Sequence, residues 1–244
     1  MAYSATGSRI STDRGLTRRC FLRLGLVAGA AALLGMLSHC TRPRKCSLDE
    51  MNIIPRAEWG AAEPNLDSVE GPYDPVTNPG GWMAYDEPLP EVLTTIVVHH
   101  SALPLSDGPR EIQGMHMTFK GYADIGYHFL IDEHGRLYEG RSLAVRGAHT
   151  GGHNTGTVGV VLLGNFQDAE PTEEQLAALR RLCGWLIDAY AITHLAGHRD
   201  FQPGVTLCPG DKLEVLLPDL ATELEIAFGT EGYAEYEKEL LGAS

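Results

Sequence analysis

A run of β-branched residues, Thr94-Thr95-Ile96-Val97-Val98, ends on two adjacent histidines, His99 and His100. Such a run suits a buried strand that delivers the histidines at its C-terminal end, where sites gather in α/β sheets. A second apolar run at 158–163 predicts another buried strand, and 126–131 with 136–139 flank Asp132-Glu133-His134-Gly135, a hairpin signal. Ser106-Asp107 and Pro109 open a helix with Ile112, Met115, His116 and Phe119 on one face and Gly121 as its stop. Thr172-Glu173-Glu174-Gln175 is a capping box, followed by Leu176, Leu179, Leu182, Cys183, Leu186, Ile187 and Tyr190 at helical spacing. A last helical stretch begins near Asp211 and is divided by Pro218. Strands interleaved with helices predict an α/β fold, a single domain with a central mixed β-sheet flanked by helices.

The N-terminal residues read as an address. Arg18 and Arg19, followed by Phe21-Leu22, precede an apolar run from Leu24 to Leu37 that is too short for a comfortable membrane span. The pattern resembles a twin-arginine signal over residues 1–40, which implies export of a folded protein. Leu37-Ser38-His39-Cys40 resembles a lipoprotein processing site, although His39 stands where a small residue is usual. Membrane attachment would then run through a lipidated Cys40 or an uncleaved signal. Residues 41–52 are a polar linker, the domain is expected over 53–217, residues 63–92 read as a Pro/Gly-rich surface loop, and 218–244 as an acidic extension.

The net charge is −13, but residues 1–46 hold eight Lys/Arg against one acid, leaving eleven bases against thirty-one acids in the remainder. So acidic a body excludes a nucleic-acid partner. Five cysteines, two of them in the N-terminal segment, are too few for a disulfide framework. Cys183, on the apolar face of its helix, is expected in the core.

Among ten histidines, the pair at the strand end stands out together with His198 and Cys208, which lie ten residues apart across a Pro/Gly-rich loop. Two nitrogens and one sulfur suit Zn²⁺, and three protein ligands leave one tetrahedral position open, as a catalytic site requires. Adjacent strand residues point to opposite faces, so either His99 or His100, not both, reaches the metal.

The chain resembles the zinc-dependent N-acetylmuramoyl-L-alanine amidases and their relatives, the peptidoglycan recognition proteins. The matching text is Pro-Arg-Ala-Glu-Trp-Gly-Ala at 55–61, Val-Val-His-His-Ser-Ala at 97–102, Asp-Ile-Gly-Tyr-His-Phe-Leu-Ile at 124–131 and Tyr-Glu-Gly-Arg at 138–141. It continues with Gly-Ala-His-Thr at 147–150, Asn154, the run at 158–166, and Gly-His-Arg-Asp…Cys-Pro-Gly-Asp at 197–211.

This resemblance implies that His99, His198 and Cys208 bind zinc and that the substrate is peptidoglycan or its muropeptides. It also implies metal-assisted hydrolysis of the bond between N-acetylmuramic acid and L-alanine; with the N-terminal signal pattern, the expectation is a protein exported by a bacterium to its cell envelope, whether periplasm, outer face of the membrane or secreted. Tyr127 and Thr206 are the implied catalytic residues; Thr206 stands where phage-type members carry a lysine, so it donates a hydrogen bond without a positive charge. His149, Asn154 and Arg141 are expected to line the substrate groove, and His116 to be a hydrogen-bonded core residue. No carboxylate matches the glutamate base of some amidase branches. The alternative is a module on the same fold that binds peptidoglycan without cutting it.

Overall fold

The computed structural model describes residues 51–70 and 81–233. The residues read as an export signal, Cys40 and nearly all of the expected linker lie outside the described residues. In chain order the elements are α1 (Arg56–Trp59), α2 (Leu89–Val92), β1 (Thr95–His100), α3 (Pro109–Phe119), β2 (Phe129–Ile131), β3 (Leu137–Glu139) and β4 (Thr157–Leu162). They continue as α4 (Glu173–Tyr190), β5 (His194–Gly197), α5 (His198–Phe201), α6 (Asp211–Glu214), α7 (Leu217–Glu223) and β6 (Ala227–Phe228). The strands form one sheet in the order β3-β2-β4-β1-β5-β6. Only the β2–β3 hairpin is antiparallel. The expected mixed sheet with flanking helices is what the chain forms.

Period-two alternation sends the two halves of each central strand into different cores. Ile96 and Val98 of β1 join Val158, Val160 and Leu162 of β4 beneath Leu179, Leu182, Cys183 and Leu186 of α4. The other face carries Val161 and Leu130 against Ile112 of α3 and Ile125. Burying each of these aliphatic side chains contributes roughly 1.5–3 kcal/mol before the entropy of ordering is deducted. α4 begins as its capping box dictates: the Gln175 N–H donates to Thr172 Oγ1 at 3.1 Å, and the Thr172 N–H donates to Gln175 Oε1 at 3.1 Å. Cys183 is wholly buried, and that burial pushes its thiol up to about 12, so it is core as expected.

Four differences from the sequence reading have physical causes. Phe119 is 81% exposed; Gln113 completes the buried face of α3 instead, drawn inward by Asp124 Oδ1 at 2.6 Å and by the Ala62 backbone. The expected strand at 126–131 is regular only from Phe129, because Gly126 turns aside to donate its N–H to His116 Nδ1. The expected loop at 63–92 is firmly attached where it is described. Glu70 is buried, the Tyr85 N–H donates to Ala144 O, the Arg146 N–H donates to Met83 O, and the segment closes with α2.

The fourth difference concerns the expected extension after 217, which supplies α7 and β6 to the fold. Ala227 and Phe228 pair in parallel with His194 and Leu195, and Tyr233 is buried with its hydroxyl donating to Gly152 O. Pro218 sits in the first turn of α7, so α6 and α7 are divided close to where a proline must start a helix rather than continue one.

Candidate metal centre

β1 and β5 are parallel neighbours in which Val98 pairs with Gly197. The next residue on each strand is a histidine, so His99 and His198 emerge at the same level from adjacent carboxyl ends although 99 positions separate them. His99 shares the face of Val97, away from α4. His100 points to the other face, where its Nδ1 accepts the Phe166 N–H at 3.2 Å and its ring lies 6.3 Å from that of Phe166. Strand alternation thus puts His99, and not His100, in the group with His198 and Cys208 that could hold a metal.

Cys208 is brought back to this edge by a tight loop. Its N–H donates to Thr206 Oγ1 at 3.1 Å, and its carbonyl accepts the Arg199 N–H at 2.9 Å. The His100 N–H donates to its sulfur at 3.4 Å. The ligand atoms of His99, His198 and Cys208 all lie within 4.8 Å of one another, the one group of this kind among the described residues.

The ring orientations suit a cation. His99 Nδ1 is 3.6 Å from Cys208 Sγ, while its Nε2 lies 3.0 Å from His149 Nδ1. Zinc with nitrogen at ~2.0–2.1 Å and sulfur at ~2.3 Å holds such a pair of donors roughly 3.5 Å apart. His198 Nε2 is 3.2 Å from Gln202 Oε1, which leaves its Nδ1 free. Burial above all, and then neighbouring imidazoles, keep His99 well below its usual value; burial lowers His198 to about 4. Both are therefore neutral, the form in which imidazole binds a metal. Burial pushes the Cys208 thiol up to about 12, against the His100 N–H and Arg199, and a bound cation reverses that preference.

Around the ligands, the Tyr127 ring lies 5.1 Å from His99 and 5.3 Å from His116. Burial, then Cys208 and Tyr122, raise its phenol, which therefore stays protonated and able to donate. Thr206 is half-buried on the loop before Cys208, between exposed Val205 and Leu207. His116 is the hydrogen-bonded core residue expected, through Gly126. His128 ties two strands to the loop beside them: its Nδ1 accepts the Gly159 N–H, and its Nε2 donates to Val145 O.

The residues expected in the groove are placed differently. Arg141, expected to line the groove, has a fully buried guanidinium that is taken up by protein partners. It holds both Glu70 oxygens, at 2.5 and 2.9 Å, and donates to the carbonyls of Ile125, Arg146 and Asp124. The Trp82 ring closes over it at 5.2 Å. Asn154 is also turned inward, its Oδ1 accepting the N–H groups of His149 and Thr150 at 2.8 Å each. His149 is buried beside His99, its ring edge-on to the ligand at 5.0 Å.

Arg199, Gln202 and Glu214 went unnoticed in the sequence. Gln202 had a faint signal, its i,i+4 spacing from His198. Arg199 clamps the loop by donating to Leu207 O and to Asp211 Oδ1. Behind it Glu214 is raised to about 7, by burial and then by Asp200. The folded protein therefore holds this proton more tightly than the unfolded chain between the ordinary 4.5 and about 7, so stability falls as pH rises through that window. Glu214→Gln keeps a neutral side chain and is expected to raise stability at pH 8 by about 1–2 kcal/mol after solvent screening, with little change at pH 4. Thermal melts at the two pH values check this.

A neutral two-histidine, one-cysteine set at the carboxyl ends of parallel strands could hold one metal ion, the arrangement of a class that includes metal-dependent hydrolases. Residues 89–211 match the family N-acetylmuramoyl-L-alanine amidase, and the chain belongs to that family. It is similar to peptidoglycan-recognition protein SD of Drosophila simulans, 34% identical over 183 residues that cover 69% of this chain and 85% of that protein. Its identity to human N-acetylmuramoyl-L-alanine amidase is 34% over 181 residues, 68% of this chain but 27% of the longer protein.

Among solved structures, Drosophila peptidoglycan recognition protein SD superposes with a TM-score of 0.53 at 31% identity, covering 67% of this chain and 91% of that one. The amidase LysC of Clostridium intestinale superposes with a TM-score of 0.52 at 30% identity, covering 59% and 93%. Relatives thus include both recognition proteins and amidases.

Proposed function

We propose that the protein is a zinc-dependent enzyme that hydrolyses the amide bond between N-acetylmuramic acid and L-alanine in peptidoglycan. The observation that carries this reading is the complete ligand set, His99, His198 and Cys208, with each histidine presenting Nδ1 while its Nε2 is engaged elsewhere. Zn²⁺ in this set supplies Lewis-acid activation of the carbonyl and of water. The protein's own groups do the rest. Tyr127, held protonated above the ligands, donates to the carbonyl oxygen as negative charge builds there. Thr206 donates a second hydrogen bond from the loop, its oxygen already oriented by the Cys208 N–H.

Peptidoglycan as the partner is supported by similar proteins solved with tracheal cytotoxin, a monomeric diaminopimelic acid-type peptidoglycan, among them PGRP-LE and a single-site mutant of Drosophila PGRP-LB. The arginine pair and apolar run at the N-terminus support export to a bacterial cell envelope, with Cys40 or the signal itself as the attachment. Among the described residues no helix is long and apolar enough to cross a membrane.

Zinc-loaded protein incubated with purified sacculi is expected to release free stem peptides without new reducing ends, and a chelator to stop the release. Sacculi bound but left intact would replace the enzyme by a recognition module. Tyr127→Phe is expected to lower kcat by roughly 10²-fold with zinc content unchanged, as loss of one oxyanion donor does. Single-turnover digestion of a muropeptide beside metal analysis reads both quantities.

A further inference from the structure

The segment from His149 to Asn154 matches the text that pointed to a substrate groove, yet its contacts run toward the metal ligands. His149 Nδ1 faces His99 Nε2 at 3.0 Å. Gln202, whose Oε1 faces His198 Nε2 at 3.2 Å, donates its own amide to Gly151 O at 2.9 Å. The outer nitrogens of both histidines therefore end, directly or through one side chain, on the same six residues.

Those six residues are fixed internally. Asn154 Oδ1 takes two consecutive N–H groups, the His153 N–H donates to Thr150 O at 2.8 Å, and Thr157 Oγ1 donates to the His153 carbonyl at 2.9 Å. The His149 ring is wedged as well. A Cβ on Gly147 or Gly159 would fall 2.4 or 2.5 Å from its Cδ2, so only glycine permits the ring to lie where it does.

We propose that residues 149–154 form a bracket that orients both histidine ligands, with His149 as a positioning residue for His99, Gln202 as its extension to His198, and Asn154 as the side chain that holds it closed. The inference rests on the zinc reading above. A cation held on Nδ1 of His99 would leave the ring's proton on Nε2, where His149 Nδ1, which also lies 2.9 Å from Thr150 Oγ1, accepts it; the His149 proton would then sit on its own Nε2, which is buried with no hydrogen-bond partner among the described residues. Gln202 Oε1 accepts from His198 in the same way. A histidine ligand whose second nitrogen is held by such a partner keeps one tautomer and one ring orientation, and losing the partner weakens metal binding by roughly 10–100-fold.

The test is the zinc dissociation constant of the full chain, read by competition with a chromophoric chelator, together with the visible spectrum of the Co²⁺ form. His149→Phe, which keeps a ring without its acceptor, and Gln202→Met are each expected to weaken zinc by roughly 10–100-fold and to perturb the Co²⁺ bands. Asn154→Ala is expected to do the same without adding fully to His149→Phe, because both act on one contact. Asn154→Asp, which keeps an oxygen for both N–H groups, is expected to restore binding to within about threefold of the parent.

Folded variants that bind zinc as the parent does, with unchanged Co²⁺ spectra, would overturn the bracket. If His149→Phe does not fold, the half-buried Gln202→Met reads the same coupling. A parent protein that takes up no zinc would overturn the metal reading instead, and the parent titration alone reveals it.

Discussion

Cys208→Ser is expected to lose more than 90% of its zinc in metal analysis and to release no stem peptide from sacculi, while melting close to the metal-free parent. The thiolate is the one anionic donor of the set, and its sulfur is only 3.6 Å from His99 Nδ1. A serine hydroxyl is harder, shorter and stays protonated near neutrality, so it matches neither the softness nor the reach of sulfur. The sulfur's one backbone donor, the His100 N–H at 3.4 Å, can be accepted by a serine oxygen as well. Thr206 and Arg199 hold the residue by its backbone N–H and carbonyl, so the variant keeps its fold and the loss reports on the metal alone. Stoichiometric zinc with full activity in this variant would remove Cys208 from the ligand set and the proposed mechanism with it.

The second large effect concerns stability. Glu70→Ala is expected to cost roughly 3–5 kcal/mol, read as a fall in the denaturation midpoint at constant slope. Glu70 is the anionic partner of Arg141, whose side chain has no exposure at all, and its Oε1 also accepts the Ala123 N–H at 2.8 Å. Removing the carboxylate leaves a buried guanidinium with only neutral carbonyls around it. The double variant Glu70→Ala with Arg141→Leu is expected to recover a good part of the loss, because no uncompensated charge then remains. If Glu70→Ala melts like the parent, the segment before residue 71 is not part of the packed fold.

That ion pair also marks where sequence reasoning stopped. α4 was legible from end to end because its start and its apolar stripe are written in the nineteen consecutive positions from Thr172 to Tyr190. β1 was legible because a β-branched run announces itself. β5 was not: His194-Leu195-Ala196-Gly197 is four residues long with no alternation, and it becomes a strand only because β1 and β6 lie on either side.

The ligand set followed from residue chemistry and family likeness, whereas the decision between His99 and His100 is visible in the strand's two faces. The burial of Arg141 was not legible because its partner Glu70 sits in a Pro/Gly-rich stretch whose text carries no sign of packing. His149 and Asn154 sit in a motif whose family likeness pointed to substrate; only the distances show which way their polar atoms face.

The six-stranded sheet ends on two short strands, β3 and β6. Ile54 lies in register with Tyr138 on one side, its N–H donating to Leu137 O and its carbonyl accepting the Glu139 N–H. Ala227 and Phe228 do the same for β5 on the other. An unpaired margin offers a template on which another molecule can lay a strand. Ile54 covers β3 and the short β6 covers β5, the strand that leads directly into His198. Aggregation through that strand would disable the centre along with the fold.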